Sequence, residues 1–268
     1  MAALTTLRGI NKQLGETQGR ISSGLKIESG KDNAAYFKIS ETMTGDSRMY
    51  KAIDESLTLT QNAVSTARLG AETVVSLAND FVERVAFAQG GTLETRQDVQ
   101  LELDELVARI QTTIDQSTFN GKDLVNGTAT ISVVTGISRS PLGTVTTTTV
   151  TFSEQDLGAI MAALQGIDLT AASTTALMET ALQTAEAELS NAIEAATALG
   201  IAEKLIEMQK EFLNELTDRI DTGVGGMVDA DMEEEAAILQ ALQVQQQLAT
   251  QALAIANASP QNILSLFQ

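Results

Sequence analysis

The side chains in this chain that can perform acid–base chemistry are chiefly carboxylates, because the sequence contains no histidine and no cysteine. Paired carboxylates can act as general acid and general base, and the closest pairs are Glu186 with Glu188 and the run from Glu233 to Glu235. On a helix, residues two apart such as Glu186 and Glu188 point to different faces. The run at 233–235 is better explained as a first helical turn, where negative charge interacts favourably with the helix dipole. The sequence therefore predicts a protein that is not an enzyme and has no catalytic residues.

The composition also excludes the usual cofactor and metal sites. Without cysteine there is neither a thiolate metal site nor a disulfide, and without histidine there is no His-Glu-x-x-His zinc motif. Tryptophan is absent and aromatic residues make up 3% of the chain, so stacking platforms for bases or sugars are sparse. A formal charge of −18 argues against nucleic acid or an anionic membrane as the main partner. We expect no cofactor, no metal and no nucleic-acid partner.

Long helices must position whatever surface the protein uses. From Tyr50 to Ala88, mostly apolar residues recur at alternating spacings of three and four, which is the seam of a long helix packed on other helices. The seam consists of Tyr50, Ile53, Leu57, Thr60, Val64, Ala67, Ala71, Val74, Ala78, Phe81, Val85 and Ala88. We expect this helix to run from about residue 34 to residue 89, with Gly70 as a weak point.

A return helix carries a matching seam. Residues 182–220 repeat the alternation, although Glu203, Lys210 and Thr217 occupy positions that usually hold apolar residues, which predicts a looser seam there. We expect this helix to begin near residue 176 and to end at Gly223 to Gly226. Two such helices, one from each half of the chain, predict a mainly α fold of long antiparallel helical rods that form a coiled-coil-like bundle.

Shorter elements complete the predicted order. They are helices at 4–22, 94–116 and 154–164 and strands at 129–134 and 144–152, the strands forming a small β-hairpin insert. Asp32 or Asn33 can cap the first long helix, and Asp231 can cap the last helix. Asn120-Gly121 is typical of a tight turn, since both residues tolerate positive φ.

Both ends of the chain carry apolar surface that the rods do not need. The N-terminal seam consists of Leu4, Leu7, Leu14 and Ile21, with Asn11 and Gln18 as its polar members. Residues 236–268 contain no charged residue, yet their glutamines make them too polar for a membrane span. A helix buried in the monomer's own core is one interpretation. Burial between molecules is the interpretation we favour, because the two rods already satisfy each other.

Motifs in three parts of the chain are similar to those of one protein family. The N-terminal and middle motifs are Arg20-Ile-Ser-Ser-Gly-Leu-Lys-Ile27, Asp32-Asn-Ala-Ala35 and Phe119-Asn-Gly-Lys-Asp-Leu-Val-Asn-Gly127. The C-terminal motifs are Asp229-Ala-Asp-Met232, Gln245-Gln-Gln-Leu248, Ala252-Leu-Ala-Ile-Ala-Asn257 and Pro260-Gln-Asn-Ile-Leu-Ser-Leu-Phe267. Over residues 1–127 and 176–268 the chain resembles the flagellins, the subunits of the bacterial flagellar filament.

The resemblance implies a structural protein for motility, secreted into the extracellular flagellum without a cleaved signal peptide. It implies an inner domain of residues 1–30 with 230–268, a long helical rod domain of 31–127 with 176–229, and a short outer insert of 128–175 with the β-hairpin. The implied partners are further copies of the chain in a helical filament, the flagellar export apparatus with an export chaperone, and the filament cap and junction proteins. Insertion into a membrane is not expected.

Assembly through the terminal helices is the mechanism we expect. Their apolar faces lack a complete partner within one chain and become buried when a subunit joins the filament. Asn11 and Gln18 are either register-setting members of the N-terminal seam or exposed. The expected assembly interface consists of Leu4, Leu7, Leu14, Ile21, Leu239, Leu242, Leu248, Leu253, Ile255, Leu264, Leu266 and Phe267.

Two other functions stay open on sequence grounds. One is a hook–filament junction protein, which shares flagellin-like ends. The other is a cell-surface flagellin-like protein that holds a glycan or another ligand with its outer insert. Flagellins usually carry a short segment before the Ala-Leu-x-x-Leu pattern seen here as Ala3 to Leu7, so Met1 looks like an internal methionine. We therefore expect the chain to be truncated at its N-terminus.

Overall fold

A computed structural model describes the backbone of residues 2–140, 144–172 and 174–266, and the side chains of residues 4–140, 144–172 and 174–255. In chain order the elements are α1 (Ala2–Ser23), α2 (Ala34–Ala88), α3 (Leu93–Gln116), β1 (Thr130–Arg139), β2 (Val145–Ser153), α4 (Leu157–Gln165), α5 (Thr175–Val228) and α6 (Met232–Leu266). The predicted fold class, long helices with a small β-hairpin insert, is confirmed.

The chain divides into two compact units. The first, here called the terminal unit, comprises Met1–Arg48 and Thr217–Gln268. The second, here called the rod unit, comprises Met49–Leu216. The three-domain division implied by the resemblance stays a prediction.

The rod unit is built around the seam of α2. The predicted seam residues from Leu57 to Ala88 are buried, and Tyr50 and Ile53 before them are half-buried. Helix α3 packs on this core through Val99, Leu103, Val107, Ile110 and Ile114. The spacing of apolar residues was therefore sufficient to predict the buried face of α2. A helix that buries one continuous stripe has apolar residues at intervals of three and four.

Polar residues in the seam of α5 meet polar partners on α2. Arg68 Nε donates to Glu203 Oε2 at 2.6 Å, and Lys210 Nζ donates to Gln61 Oε1 at 3.0 Å. Because the higher-numbered residue of α5 faces the lower-numbered residue of α2, the two helices run antiparallel here. Glu203 and Lys210 thus occupy the seam as partners of α2 side chains and not as gaps in the packing.

Gly70 permits a close approach between α2 and the end of α3. A Cβ at Gly70 would lie 2.6 Å from the Cβ of Ser117, the C-cap residue of α3. Real side chains do not approach that closely. The expectation that Gly70 is a weak point of α2 stays a prediction, and the structure adds that the glycine makes room for a buried serine.

The β-hairpin is fixed to the rods along one edge. Strands β1 and β2 pair antiparallel, with one bulge in β1. Tyr50 Oη donates to the carbonyl oxygen of Ile137 at 3.1 Å, and Gln209 Nε2 donates to that of Thr135 at 2.9 Å. Side chains from α2 and α5 therefore cover the outer edge of β1.

The predicted tight turn at Asn120-Gly121 is confirmed. Asn120 has φ 50° and Gly121 has φ 77°. Phe119 and Lys122 exchange backbone hydrogen bonds of 3.1 and 2.9 Å on either side of the turn. Positive φ at both central residues explains the choice of asparagine followed by glycine.

In the terminal unit, glycine and asparagine set the helix ends near residue 30. Helix α1 ends before Gly24, which has φ 74° and whose N–H donates to Arg20 O at 2.8 Å. Asn33 caps α2, because its Oδ1 accepts from the N–H of Ala35 at 3.1 Å. Asp32 closes the preceding turn instead. Of the two caps that the sequence allowed, the structure uses Asn33.

The predicted end of α5 at Gly223 to Gly226 is wrong, since the helix continues to Val228. None of these glycines has positive φ, so they stay in the helical conformation. The helix ends where the turn after α1 supplies new backbone partners. Lys26 N donates to Val228 O at 2.7 Å, and Ala230 N donates to Gly24 O at 2.8 Å.

Candidate assembly surface

Helices α1 and α6 pack against each other in the terminal unit. The stripe of α1 that is buried or half-buried consists of Leu7, Ile10, Leu14, Thr17 and Ile21. Asn11 and Gln18 are exposed, which is the second of the two alternatives that the sequence left open for them. The true stripe keeps the alternating spacing of three and four, with Ile10 and Thr17 in place of Asn11 and Gln18. That spacing was readable in the sequence, but the leucines were given more weight than Ile10.

The inner stripe of α6 shows the same spacing. It consists of Glu235, Leu239, Leu242, Gln246, Ala249 and Leu253, all buried or half-buried. Gln246 Nε2 donates to Asn11 Oδ1 at 2.7 Å, so Asn11 does contact α6 from the margin of the α1 stripe. The two helices run antiparallel, because Arg20 pairs with Glu235 and Asn11 pairs with Gln246.

An ion pair closes one end of the α1–α6 contact. Arg20 Nη1 donates to Glu235 Oε1 at 3.0 Å, and the side chain of Glu235 is only 9% exposed. The expectation that Glu235 merely serves the first turn of α6 was incomplete. The capping role belongs to Asp231, whose Oδ1 accepts from the N–H of Glu233 at 2.9 Å.

Helix α6 carries a second apolar stripe, on a side that does not face α1. It consists of Ala237, Ala241, Val244, Leu248, Ala252 and Ile255, all of them exposed. Leu248 is 59% exposed and Ile255 is 72% exposed. At 100° per residue this stripe lies roughly 140° around the helix from the inner one. We call it the outer α6 stripe.

The predicted interface residues fall into three groups. The first group lies in the α1–α6 contact of one chain and consists of Leu7, Leu14, Ile21, Leu239, Leu242 and Leu253. Leu4, Leu248 and Ile255 are exposed, the last two on the outer α6 stripe. Leu264 and Leu266 belong to α6, but their side chains and the whole of Phe267 lie outside the described residues.

Helix α5 also carries an exposed apolar stripe that was not predicted from the sequence. Ile201, Leu205, Met208 and Phe212 are between 43% and 58% exposed and are spaced by four, three and four residues. The spacing was visible in the sequence, but only the neighbouring seam through Leu199, Ile206 and Leu213 was predicted to be a contact surface. We call this set the α5 stripe. It lies in the rod unit.

A hydrogen-bonded aspartate stabilises the turn between α1 and α2. Asp32 Oδ2 accepts from the N–H of Ser29 at 2.9 Å, from its hydroxyl at 3.0 Å and from the N–H of Glu28 at 3.2 Å. The Ser29 N–H and then its hydroxyl lower the pKa of Asp32 below its ordinary value, because both stabilise the charged carboxylate.

Comparisons with known proteins identify the family. A model of the bacterial flagellin N-terminal helical region matches residues 1–130, and a model of the C-terminal helical region matches residues 182–267. A flagellin of Brucella melitensis biotype 1 is 38% identical over 272 residues, which cover 100% of this chain and 96% of the relative. The chain belongs to the bacterial flagellin family. Flagellin C of Rhizobium meliloti is 33% identical over 311 residues, covering 100% of this flagellin and 97% of the relative.

A solved structure has a similar fold. The flagellar hook-associated protein from Vibrio parahaemolyticus superposes with a TM-score of 0.52 at 15% identity, covering 74% of this flagellin and 98% of that protein. At this identity the likeness shows the fold alone.

Family membership makes the protein a structural subunit of the flagellar filament for motility, and not an enzyme. As a flagellin it is an extracellular filament component that polymerises with copies of itself. Within the described part of the chain, no helix combines the length and apolarity that a membrane crossing requires.

Proposed function

We propose that this flagellin polymerises by burying the outer α6 stripe against a neighbouring copy of the chain. The observation that carries the proposal is that α6 has two apolar stripes and that α1 covers only one of them. Burying an exposed leucine or isoleucine is worth about 1.5 to 3 kcal/mol. Leu248 and Ile255 alone would therefore favour association by several kcal/mol, before the cost of ordering.

Charge favours α6 as the contact between copies. The chain carries a net charge of −18, so two copies repel wherever their charged surfaces approach each other. Residues 236–268 carry no charge at all. Two copies can therefore meet at this segment without bringing together like charges or desolvating them.

The α5 stripe is proposed as a second contact between subunits, in the rod unit. Its four large apolar side chains are exposed along one line of the helix. Beside this line, Lys204 Nζ and Glu207 Oε2 form an ion pair of 2.7 Å. A head-to-tail contact repeats without closing, which gives a helical filament. We propose that the α6 and α5 stripes belong to the same set of repeating contacts.

The family resemblance supports different positions in the filament for different segments of the chain. We propose that residues 1–30 with 230–268 form the inner part of the filament, residues 31–127 with 176–229 the rod shell, and residues 128–175 the outer insert. We further propose export without a cleaved signal peptide, with an export chaperone, and contact with the filament cap and junction proteins. A junction protein and a ligand-binding surface protein are the alternatives, and relatives at 32–38% identity over the full chain favour the filament subunit.

A pair of substitutions on α6 tests the proposal. Leu248→Gln places a polar side chain in the outer stripe, whereas Gln247→Ala changes the neighbouring exposed position, which lies between the two stripes. We expect Leu248→Gln to raise the concentration needed for polymerisation and Gln247→Ala to leave it unchanged. Sedimentation and electron microscopy measure the polymer, and helix content by circular dichroism verifies folding. Equal polymerisation of both variants would contradict the proposed interface.

A further inference from the structure

Strand β2 has a backbone edge that faces away from β1. Ser140 N donates to Thr144 O at 2.9 Å at the turn end of the hairpin, and Glu154 N donates to Ala129 O at 2.9 Å at the other end. Since directly opposite residues of an antiparallel ladder alternate between bonded and non-bonded pairs, the even-numbered residues of β2 bond to β1. The N–H and C=O groups of Val145, Thr147, Thr149, Thr151 and Ser153 therefore point outward.

The two edges of the hairpin differ in their protection. Tyr50 and Gln209 bond to outward carbonyls of β1, as described above. On β2, the side chains of residues 145–149 are all exposed, and its outward N–H groups have no hydrogen-bond partner among the described residues. Natural edge strands are usually protected by charge, proline or a bulge. Residues 140–153 contain no charged residue, and β2 itself contains neither proline nor a bulge.

The outward edge of β2 is complementary to itself. Thr149 is the central residue of the strand. Antiparallel pairing about a two-fold axis at Thr149 places Thr147 opposite Thr151 of a second copy, and Val145 opposite Ser153. All these residues have outward N–H and C=O groups, but the carbonyl oxygen of Ser153 already accepts from Gln155 Nε2 of its own chain at 3.2 Å. Thr149 with its copy, and each Thr147 with the facing Thr151, can therefore exchange two hydrogen bonds. A strand offset by one residue would lose this match.

A second copy of this chain is the occupant that the charges favour. Copies with a net charge of −18 repel, yet the hairpin is free of charge from Ser140 to Ser153. We propose that two copies of this flagellin pair through their β2 strands, antiparallel about Thr149, to form a continuous four-stranded sheet. Threonine and valine have high β-propensity, which suits them to such a sheet.

Symmetry decides where this contact can act. A two-fold contact uses the same patch on both partners, whereas subunits of a head-to-tail filament all point the same way. The β2 contact therefore joins two free chains, or two neighbouring filaments, and not two subunits of one filament. It is separate from the polymerisation proposed above and goes beyond it.

The first test measures backbone protection in free chains. Amide exchange followed by NMR at rising protein concentration should slow at Thr147, Thr149 and Thr151, while the amides of Thr146 and Thr148 stay protected at every concentration. Light scattering should show twice the monomer mass at high concentration. Rapid exchange of the three odd-numbered amides at every concentration, with the even-numbered amides protected, would overturn the proposal.

Substitutions at Thr149 provide matched variants. Thr149→Pro removes an outward N–H that β1 does not use, a position where an edge strand tolerates proline. It should weaken dimerisation about tenfold or more, because both copies lose the hydrogen bond at the axis. Thr149→Val keeps the N–H and should dimerise as the parent does. If Thr149→Pro exposes the even-numbered amides, Thr149→Lys takes its place, since it keeps the hairpin backbone but sets two like charges opposite each other.

An experiment on filaments distinguishes the β2 contact from the proposed polymerisation contact. Electron microscopy should show filaments of the parent protein side by side and filaments of Thr149→Pro apart, with equal lengths. Bundling that persists in Thr149→Pro and Thr149→Lys would overturn the β2 contact. The exchange measurements use free chains, so they decide the inference even for a protein that does not polymerise.

Discussion

Arg20 and Glu235 join α1 to α6 by an ion pair of 3.0 Å in which the two side chains are unequally buried. Arg20 is 43% exposed, whereas Glu235 is 9% exposed. Among the residues that the structure describes, the second carboxylate oxygen of Glu235 has no hydrogen-bond partner. The arginine is therefore the partner on which a nearly buried charge depends.

Removing the arginine should loosen the terminal unit. We expect Arg20→Met to cost about 1 to 2 kcal/mol, since it leaves the Glu235 carboxylate unpaired but the exposed guanidinium itself contributes little. Lys12→Met is the matched control, because Lys12 pairs with Glu16 at 3.5 Å on the exposed side of the same helix. Amide exchange in α1 and α6 should accelerate in the first variant only. Similar exchange in both variants would show that the pair does not stabilise the contact.

Gly70 should be intolerant of a side chain. Gly70→Ala forces its Cβ onto Ser117, and we expect a loss of about 1 to 3 kcal/mol of unfolding free energy from overpacking. Gly45, also in α2, would place an added Cβ more than 4 Å from every described residue outside its own stretch of helix. Gly45→Ala should therefore stabilise the protein by about 0.5 to 1 kcal/mol through helix propensity. Thermal unfolding measures both.

A second substitution distinguishes the steric explanation from a general effect on α2. Ser117→Gly removes the side chain that Gly70→Ala would meet. In the double variant, Gly70→Ala should cost much less than it does alone. If the cost is unchanged, the close approach to Ser117 is not its cause.

The rod unit was predictable because its signal is long and regular. The buried residues of α2 from Leu57 to Ala88 follow one repeat without a break, so a single pattern fixed the helix, its buried face and its need for a partner. The pairing of Arg68 with Glu203 was not predictable, because it requires the relative register of α2 and α5. Sequence periodicity fixes a face but not the residue opposite to it.

The terminal unit was predicted less accurately, for two physical reasons. Helix α1 contains two overlapping apolar repeats, and only contact with α6 selects the one through Ile10 and Thr17. Helix α6 has two apolar stripes and no charged residue after Glu235, so no charged face marks the side that faces water along the rest of the helix. The end of α5 was misplaced because backbone pairing with the turn at Gly24, distant in sequence, determines it.

The pKa of Asp32 should depend on Ser29. The lowered pKa means that the carboxylate contributes stability above its ordinary pKa, and this contribution is lost as the pH falls through the folded-state pKa. Ser29→Ala removes the hydroxyl donor but keeps the N–H, so the pKa should rise part of the way to the ordinary value. An NMR titration of the Asp32 carboxyl measures the change. Ser23→Ala is the control, because the Ser23 hydroxyl bonds to Leu25 N and not to Asp32.

Deleting residues 236–268 should abolish polymerisation while the rods stay helical. The deletion removes the outer α6 stripe together with the inner stripe that covers α1, so no apolar contact from this helix is left for a neighbouring copy. The rod unit, Met49–Leu216, has its own buried core and does not require α6. Circular dichroism and slow amide exchange in α2 and α3 should therefore persist, while sedimentation shows no polymer. Filaments formed by the shortened chain would mean that the α5 stripe or other surfaces suffice, and that the uncharged segment 236–268 is not what holds neighbouring subunits together.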